Sequence, residues 1–205
     1  MVVQRSNPAM ESWRLLLLLM VTLTAMTGVL LALVPDLVEG VRMVIRATAR
    51  TSLVLFLLAF TASAVARLWP DARFSQWQRR NRRYFGLSFA YSHLIHAIAI
   101  VAFARLAPEI FWADRTPASN IPGQLGYLFI ALMALTSFDA TARFVGPRLW
   151  AFIHGFGIWI VWIDFVLAFG KRIPISTVYA VPVLLLLAAL CLRLYARKKR
   201  HGLAV

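Results

Sequence analysis

Carboxylates and thiols are both scarce in this sequence. Eight Asp and Glu residues stand against 22 Lys and Arg, for a formal net charge of +14, yet charged residues of both signs make up only 15% of the chain. A soluble domain needs more polar surface than that. With 61% hydrophobic residues and a mean hydropathy of +0.74, the bilayer is the natural solvent. The single cysteine, Cys191, excludes an intrachain disulfide and a thiolate metal centre. No G-x-G-x-x-G or other nucleotide fingerprint occurs, so any reductant must bind a separate protein or the membrane face. Repeats and low-complexity tracts are missing too. The basic surplus could suggest nucleic acid, but the bases sit at the ends of apolar runs. That placement fits contact with anionic head groups, so membrane lipid is expected as a partner and nucleic acid is not.

What is present is a series of apolar runs, placed at about 13–34, 48–68, 84–105, 124–142, 149–169 and 176–195, each close to the ~20 residues a spanning helix needs. Pro35-Asp36, Trp69-Pro70-Asp71, Pro117, Pro122-Gly123, Gly146-Pro147 and Gly170 to Pro174 punctuate them. The expected fold is therefore all-α: a polytopic membrane helical bundle of six transmembrane helices, with residues 1–205 as a single domain. The first run, Leu15 to Val34, lacks a small-residue cleavage site and is expected to stay as a helix. Fifteen of the 22 bases fall on one side if the N-terminus is inside and seven on the other, which predicts an N-in, C-in protein of a bacterial-type inner membrane. Trp13, Trp69, Trp77, Trp112 and Trp150 read as interfacial anchors.

Polar residues within such runs are costly, and each is a functional candidate. His93 and His96 are three apart on the third segment and project to roughly the same side. His154 lies early in the fifth. Neutral imidazole is an axial ligand for haem iron, and histidines on separate helices can hold a cofactor inside a bundle. The alternative is an interhelical hydrogen bond to a hydroxyl or carbonyl. Asp164, in the fifth segment, calls for a basic partner such as Arg105, Arg50 or Arg46; a part in proton or quinone chemistry is the other reading. Arg79 to Arg83, which include Arg82 and Arg83, read first as a topology determinant at the head groups. In a second role they would attract a haem propionate, a flavin phosphate or a cytoplasmic partner.

Arg82-Arg83-Tyr84-Phe85-Gly86-Leu87-Ser88-Phe89-Ala90-Tyr91-Ser92-His93-Leu94-Ile95-His96 resembles the basic-pair, LGL, LxH signature of ferric reductase-like transmembrane domains. Leu135-Thr136-Ser137, followed by Gly146-Pro147-Arg148-Leu149-Trp150-Ala151-Phe152-Ile153-His154, is similar to that family's second conserved segment. The family includes the haem-binding membrane subunit of the bacterial methionine sulfoxide reductase system. The resemblance implies transmembrane electron transfer through b-type haem, with His96 and His154 at ligand positions and His93 as an extra histidine. It also exposes two departures. The second fifth-helix histidine of the family falls at Leu167 here, and the second third-helix histidine falls at Arg82 and Arg83.

At ~1.5 Å per residue, His96 lies roughly 18 Å from the start of its helix and His154 roughly 8 Å from its own. Ligands of one iron should share a depth, and His93 is about one turn closer to His154. The expectation is at most one bis-histidine haem, built from His154 with His96 or His93. The functional reading is a b-type cytochrome-like protein that moves electrons from a quinol or flavin donor to a redox partner protein. The alternative is a haem-free structural or accessory subunit of a membrane complex.

Overall fold

The computed structural model describes residues 12–113 and 121–202; Arg5, Arg115 and Pro117 lie outside them. The helices are α1 (Ser12–Leu33), α2 (Leu37–Leu68), α3 (Arg73–Arg80), α4 (Arg82–Leu106), α5 (Pro108–Trp112), α6 (Ile121–Leu135), α7 (Asp139–Gly170) and α8 (Ala180–Gly202). No strand occurs among the described residues. Within α1, α2, α4, α7 and the run Thr177–Lys199 are apolar stretches long enough to cross a membrane, and α6 is a shorter apolar helix. The chain is a multi-pass helical membrane bundle. At 1.5 Å per residue, α6 covers only about 22 Å, less than the ~30 Å hydrocarbon core.

The helix boundaries depart from the sequence reading in three places. α2 begins at Leu37 rather than near 48. Asp36 caps it by accepting the Val38 N–H at 3.0 Å, and Glu39 neutralises the early bases by pairing with Arg42 at 3.1 Å and Arg46 at 2.9 Å. Arg42 and Arg46, which lie before the expected second segment, are thus on the charged first part of a long helix. α6 stops at Leu135, seven residues before the expected end, and α7 already starts at Asp139. Gly146-Pro147 is a kink inside α7, not a connection: Gly146 sits at φ 76°, ψ 165°, a conformation open to glycine, and Pro147 has no N–H to continue the ladder. The expected loop after α2 also contains α3. Gln78 fastens that helix to α2, donating to Leu58 O at 2.9 Å and Thr61 Oγ1 at 3.0 Å.

α2 and α4 meet along buried small hydroxyl residues. Thr48, Ser52, Ser88 and Ser92 are all fully buried, and the Ser52 hydroxyl donates to Ser92 Oγ at 2.8 Å. Small side chains bring two backbones close where lipid supplies no hydrophobic drive for helix association. Around this seam Phe56 and Phe60 of α2, Phe89 of α4, Ile130 of α6, and Val161 and Phe165 of α7 form the core. Arg193 of α8 donates to Phe60 O at 2.9 Å, with its guanidinium 4.1 Å from the Phe60 ring and 5.5 Å from that of Trp159. The aromatic faces lessen the cost of a cation at that depth.

Candidate functional site

Two cavities lie between α4, α6 and α7. The first, about 360 Å³, is lined by Arg82, Arg83, Gly86 and Phe89 of α4, by Ile130, Met133 and Thr136, and by Trp150, His154 and Ile158 of α7. His154 is fixed on two sides. Its ring stacks on Trp150 at 4.4 Å and 25°, and its Nε2 lies 3.0 Å from Thr136 Oγ1. The Thr136 hydroxyl gives its proton to Leu132 O at 2.6 Å, so it receives the imidazole N–H. Nδ1 is left with the lone pair. Trp150 Nε1 donates to Thr136 O at 3.0 Å, and Thr136 thereby sets both aromatic rings. Across the cavity Arg83 pairs with Asp139 at 2.9 Å, while its buried Nε has no hydrogen-bond partner. At Gly86 an added Cβ would meet nothing within 4 Å, so the α4 wall stands back from the cavity.

The second cavity, about 270 Å³, is lined by Ala49 of α2, by His93, His96 and Ile100 of α4, by Gly126, Tyr127 and Ile130 of α6, and by Val161, Asp164, Phe165 and Leu167 of α7, with Lys171 and Arg172 beyond. Thr48 holds His96 as Thr136 holds His154. Thr48 Oγ1 donates to Val44 O at 2.6 Å and stands 2.9 Å from His96 Nδ1, so Nδ1 carries the proton and Nε2 the lone pair. His93 lies 4.7 Å from the Phe89 ring and 5.6 Å from that of His96, and its buried Nδ1 has no partner.

The basic partner expected for Asp164 is not found. Its buried Oδ2 has no hydrogen-bond partner among the described residues, and Arg46 is already paired with Glu39. The carboxylate instead fits against Gly126, where an added Cβ would collide with Oδ2.

The structure therefore brings His93, His96 and Asp164 to one cavity, and His154, Arg82 and Arg83 to the other. His154 lines a different cavity from His93 and His96, so neither cavity holds the expected pair of His154 with His96 or His93. A bis-histidine haem needs imidazoles on facing walls of one cavity. The His96 cavity has no imidazole from α7, which contributes Leu167, and the His154 cavity has none from α4, which contributes Gly86, Arg82 and Arg83, so these residues do not fit that group. A haem with one protein imidazole does fit the His154 cavity. The imidazole has a bare nitrogen, and the orphaned Arg83 Nε is a donor that a carboxylate would satisfy. No cluster of three His, Cys, Asp or Glu side chains among the described residues has the spacing to hold a metal ion.

Sequence reasoning passed over Thr48, Tyr127 and Gly126, which no motif marks. Thr136 was visible in Leu135-Thr136-Ser137, but its task only becomes plain beside His154. A model of the family described as ferric reductase like transmembrane component matches residues 46–164, more than half of the chain and every cavity-lining histidine. No curated protein and no solved structure matches.

Proposed function

The chain belongs to the ferric reductase-like transmembrane family, and from that premise we propose a membrane electron-transfer protein that holds one b-type haem in the His154 cavity. The observation that carries this reading is the joint presence, in one cavity, of an oriented imidazole and an unpartnered guanidinium nitrogen. His154 would be the protein ligand, and Arg82 and Arg83 would take the propionates. The haem supplies reversible one-electron chemistry when bound. The chain's own work is to fix His154 through Thr136 and Trp150, to place positive charge at the cavity's Arg82 end, and to exclude water with Phe89, Ile130 and Ile158. The donor is a quinol or flavin and the acceptor a redox partner protein.

The test is the absorption of the purified protein expressed with ample haem. A Soret band that His154→Ala abolishes, and that His96→Ala and His93→Ala leave, is the expected result. With one protein imidazole the ferrous form should take carbon monoxide readily, shifting the band. A band lost with His96→Ala would restore the cross-helix pairing. If no band appears at all, the haem-free accessory subunit takes this reading's place. The observation on its side is that the His96 cavity has no imidazole from α7 and the His154 cavity none from α4.

A further inference from the structure

The Asp164 cavity is left without a task by a single haem in the other cavity, yet it holds the most exacting polar groups of the bundle. On α4, the Thr48 hydroxyl, which donates to Val44 O, lies 2.9 Å from His96 Nδ1 and so takes its proton, leaving the lone pair on Nε2. On α7, Asp164 Oδ2 is a second acceptor with no partner. Gly126 is what admits the carboxylate, since any side chain there would displace it. His93 adds a buried, unpartnered nitrogen, its ring 5.8 Å from Tyr127 and 5.7 Å from Phe165. The rest of the lining is apolar and aromatic through Ile130 and Phe165, with Tyr127, Lys171 and Arg172 as its polar members. Buried acceptors without donors are costly, and a ligand that brings donors removes the cost.

We propose that this cavity binds a hydroquinone ring, one ring hydroxyl donating to His96 Nε2 and the other to Asp164. Two acceptors, one from α4 and one from α7, lining a single cavity match a flat ring bearing two hydroxyl donors. They do not match its oxidised form, whose carbonyls would face them with lone pairs. The assignment names the donor class in the electron-transfer reading, but binding itself does not depend on haem. Phe89 lines the His154 cavity and Phe165 this one, with ring centroids 6.1 Å apart, and Ile130 lines both. One layer of side chains separates the two.

Calorimetric titration of the purified full chain under anaerobic conditions tests this, with a short-tailed benzohydroquinone, its quinone and its dimethyl ether as probes. The hydroquinone should bind saturably and at least tenfold more tightly than the dimethyl ether, which keeps the ring and removes both donors. Asp164→Leu and His96→Leu should each weaken it by tenfold or more, about 1.4 kcal/mol. Asp164→Asn, which keeps the shape and one acceptor, should fall between, and equal melting temperatures would show that the variants are folded. Equal binding of hydroquinone and dimethyl ether overturns the proposal, as does unchanged binding in folded Asp164→Leu. The two readings fail separately: absent hydroquinone binding with an intact Soret band removes this site alone, and binding without a Soret band removes the haem alone.

Discussion

Thr136 receives the imidazole N–H of His154 at 3.0 Å because its own hydroxyl proton is committed to Leu132 O. Thr48 and His96 repeat the arrangement at 2.9 Å in the other cavity. In a helix a threonine hydroxyl that bonds back to the carbonyl four residues earlier can only accept from a third group. A histidine beside it is then fixed in one tautomer, and its second nitrogen is free for a ligand.

Thr136→Val should therefore loosen haem binding while leaving the fold intact. The loss expected for a partner that orients a ligand is roughly 10- to 100-fold in affinity, read by titrating haem into the apoprotein and following the Soret band. Thr136→Ser keeps the hydroxyl and should keep most of the affinity. Equal binding in the valine variant would mean that Trp150 stacking alone orients His154.

Much of the architecture was legible because bilayer thickness imposes a length on each apolar run, and length survives in sequence. The first, second and third segments end within a residue of α1, α2 and α4. Charge and proline misled where they had two meanings. Arg42 and Arg46 fell before the expected second segment because exposed cations usually flank a span, while Glu39 pairs with both and the helix runs through them. Gly146-Pro147 read as a break, but one glycine at positive φ permits a kink with helix on both sides. The site was half visible. The histidines and Asp164 stand out as polar groups in apolar runs, whereas Gly126 matters only through the collision its missing side chain avoids.

The bias of the basic residues predicts the loop between α2 and α3 in the cytoplasm and the segment after α7 outside. Ala72 and Ile175 are both exposed, so each can carry a reporter in a Cys191→Ala background. In intact cells an impermeant maleimide should label Ile175→Cys and spare Ala72→Cys until the cells are opened. Labelling of Ala72→Cys from outside would reverse the topology.

The α2–α4 seam should tolerate loss of polarity better than gain of volume. Ser92 accepts from Ser52 at 2.8 Å and lies 3.2 Å from Thr51 Oγ1. Hydrogen bonds between membrane helices contribute about 0.6 kcal/mol on average, so Ser92→Ala should cost little. Ser92→Leu forces the helices apart, and overpacking costs about 1–3 kcal/mol. Reversible unfolding in mixed micelles should rank the leucine variant well below the alanine one. The reverse order would show that the hydroxyl network, not close approach, holds the seam.

Leu167 decides which ligand the Asp164 cavity takes. It lines that cavity from α7 while His96 lines it from α4, and α7 offers no imidazole there. Leu167→His would supply an imidazole from α7, and two neutral imidazoles are what a bis-histidine haem requires. The variant should gain a haem, raising the Soret absorbance per protein, and the added component should resist carbon monoxide because both axial positions are filled. The same change should weaken hydroquinone binding, since the ring and a haem would compete for one space. His96→Ala in the Leu167→His background should remove the added component and leave the His154 one. If Leu167→His gains no haem although it folds and the His154 band persists, the carboxylate of Asp164, and not the lack of a second ligand, is what bars haem from this cavity. Adding Asp164→Leu to the variant would then admit it.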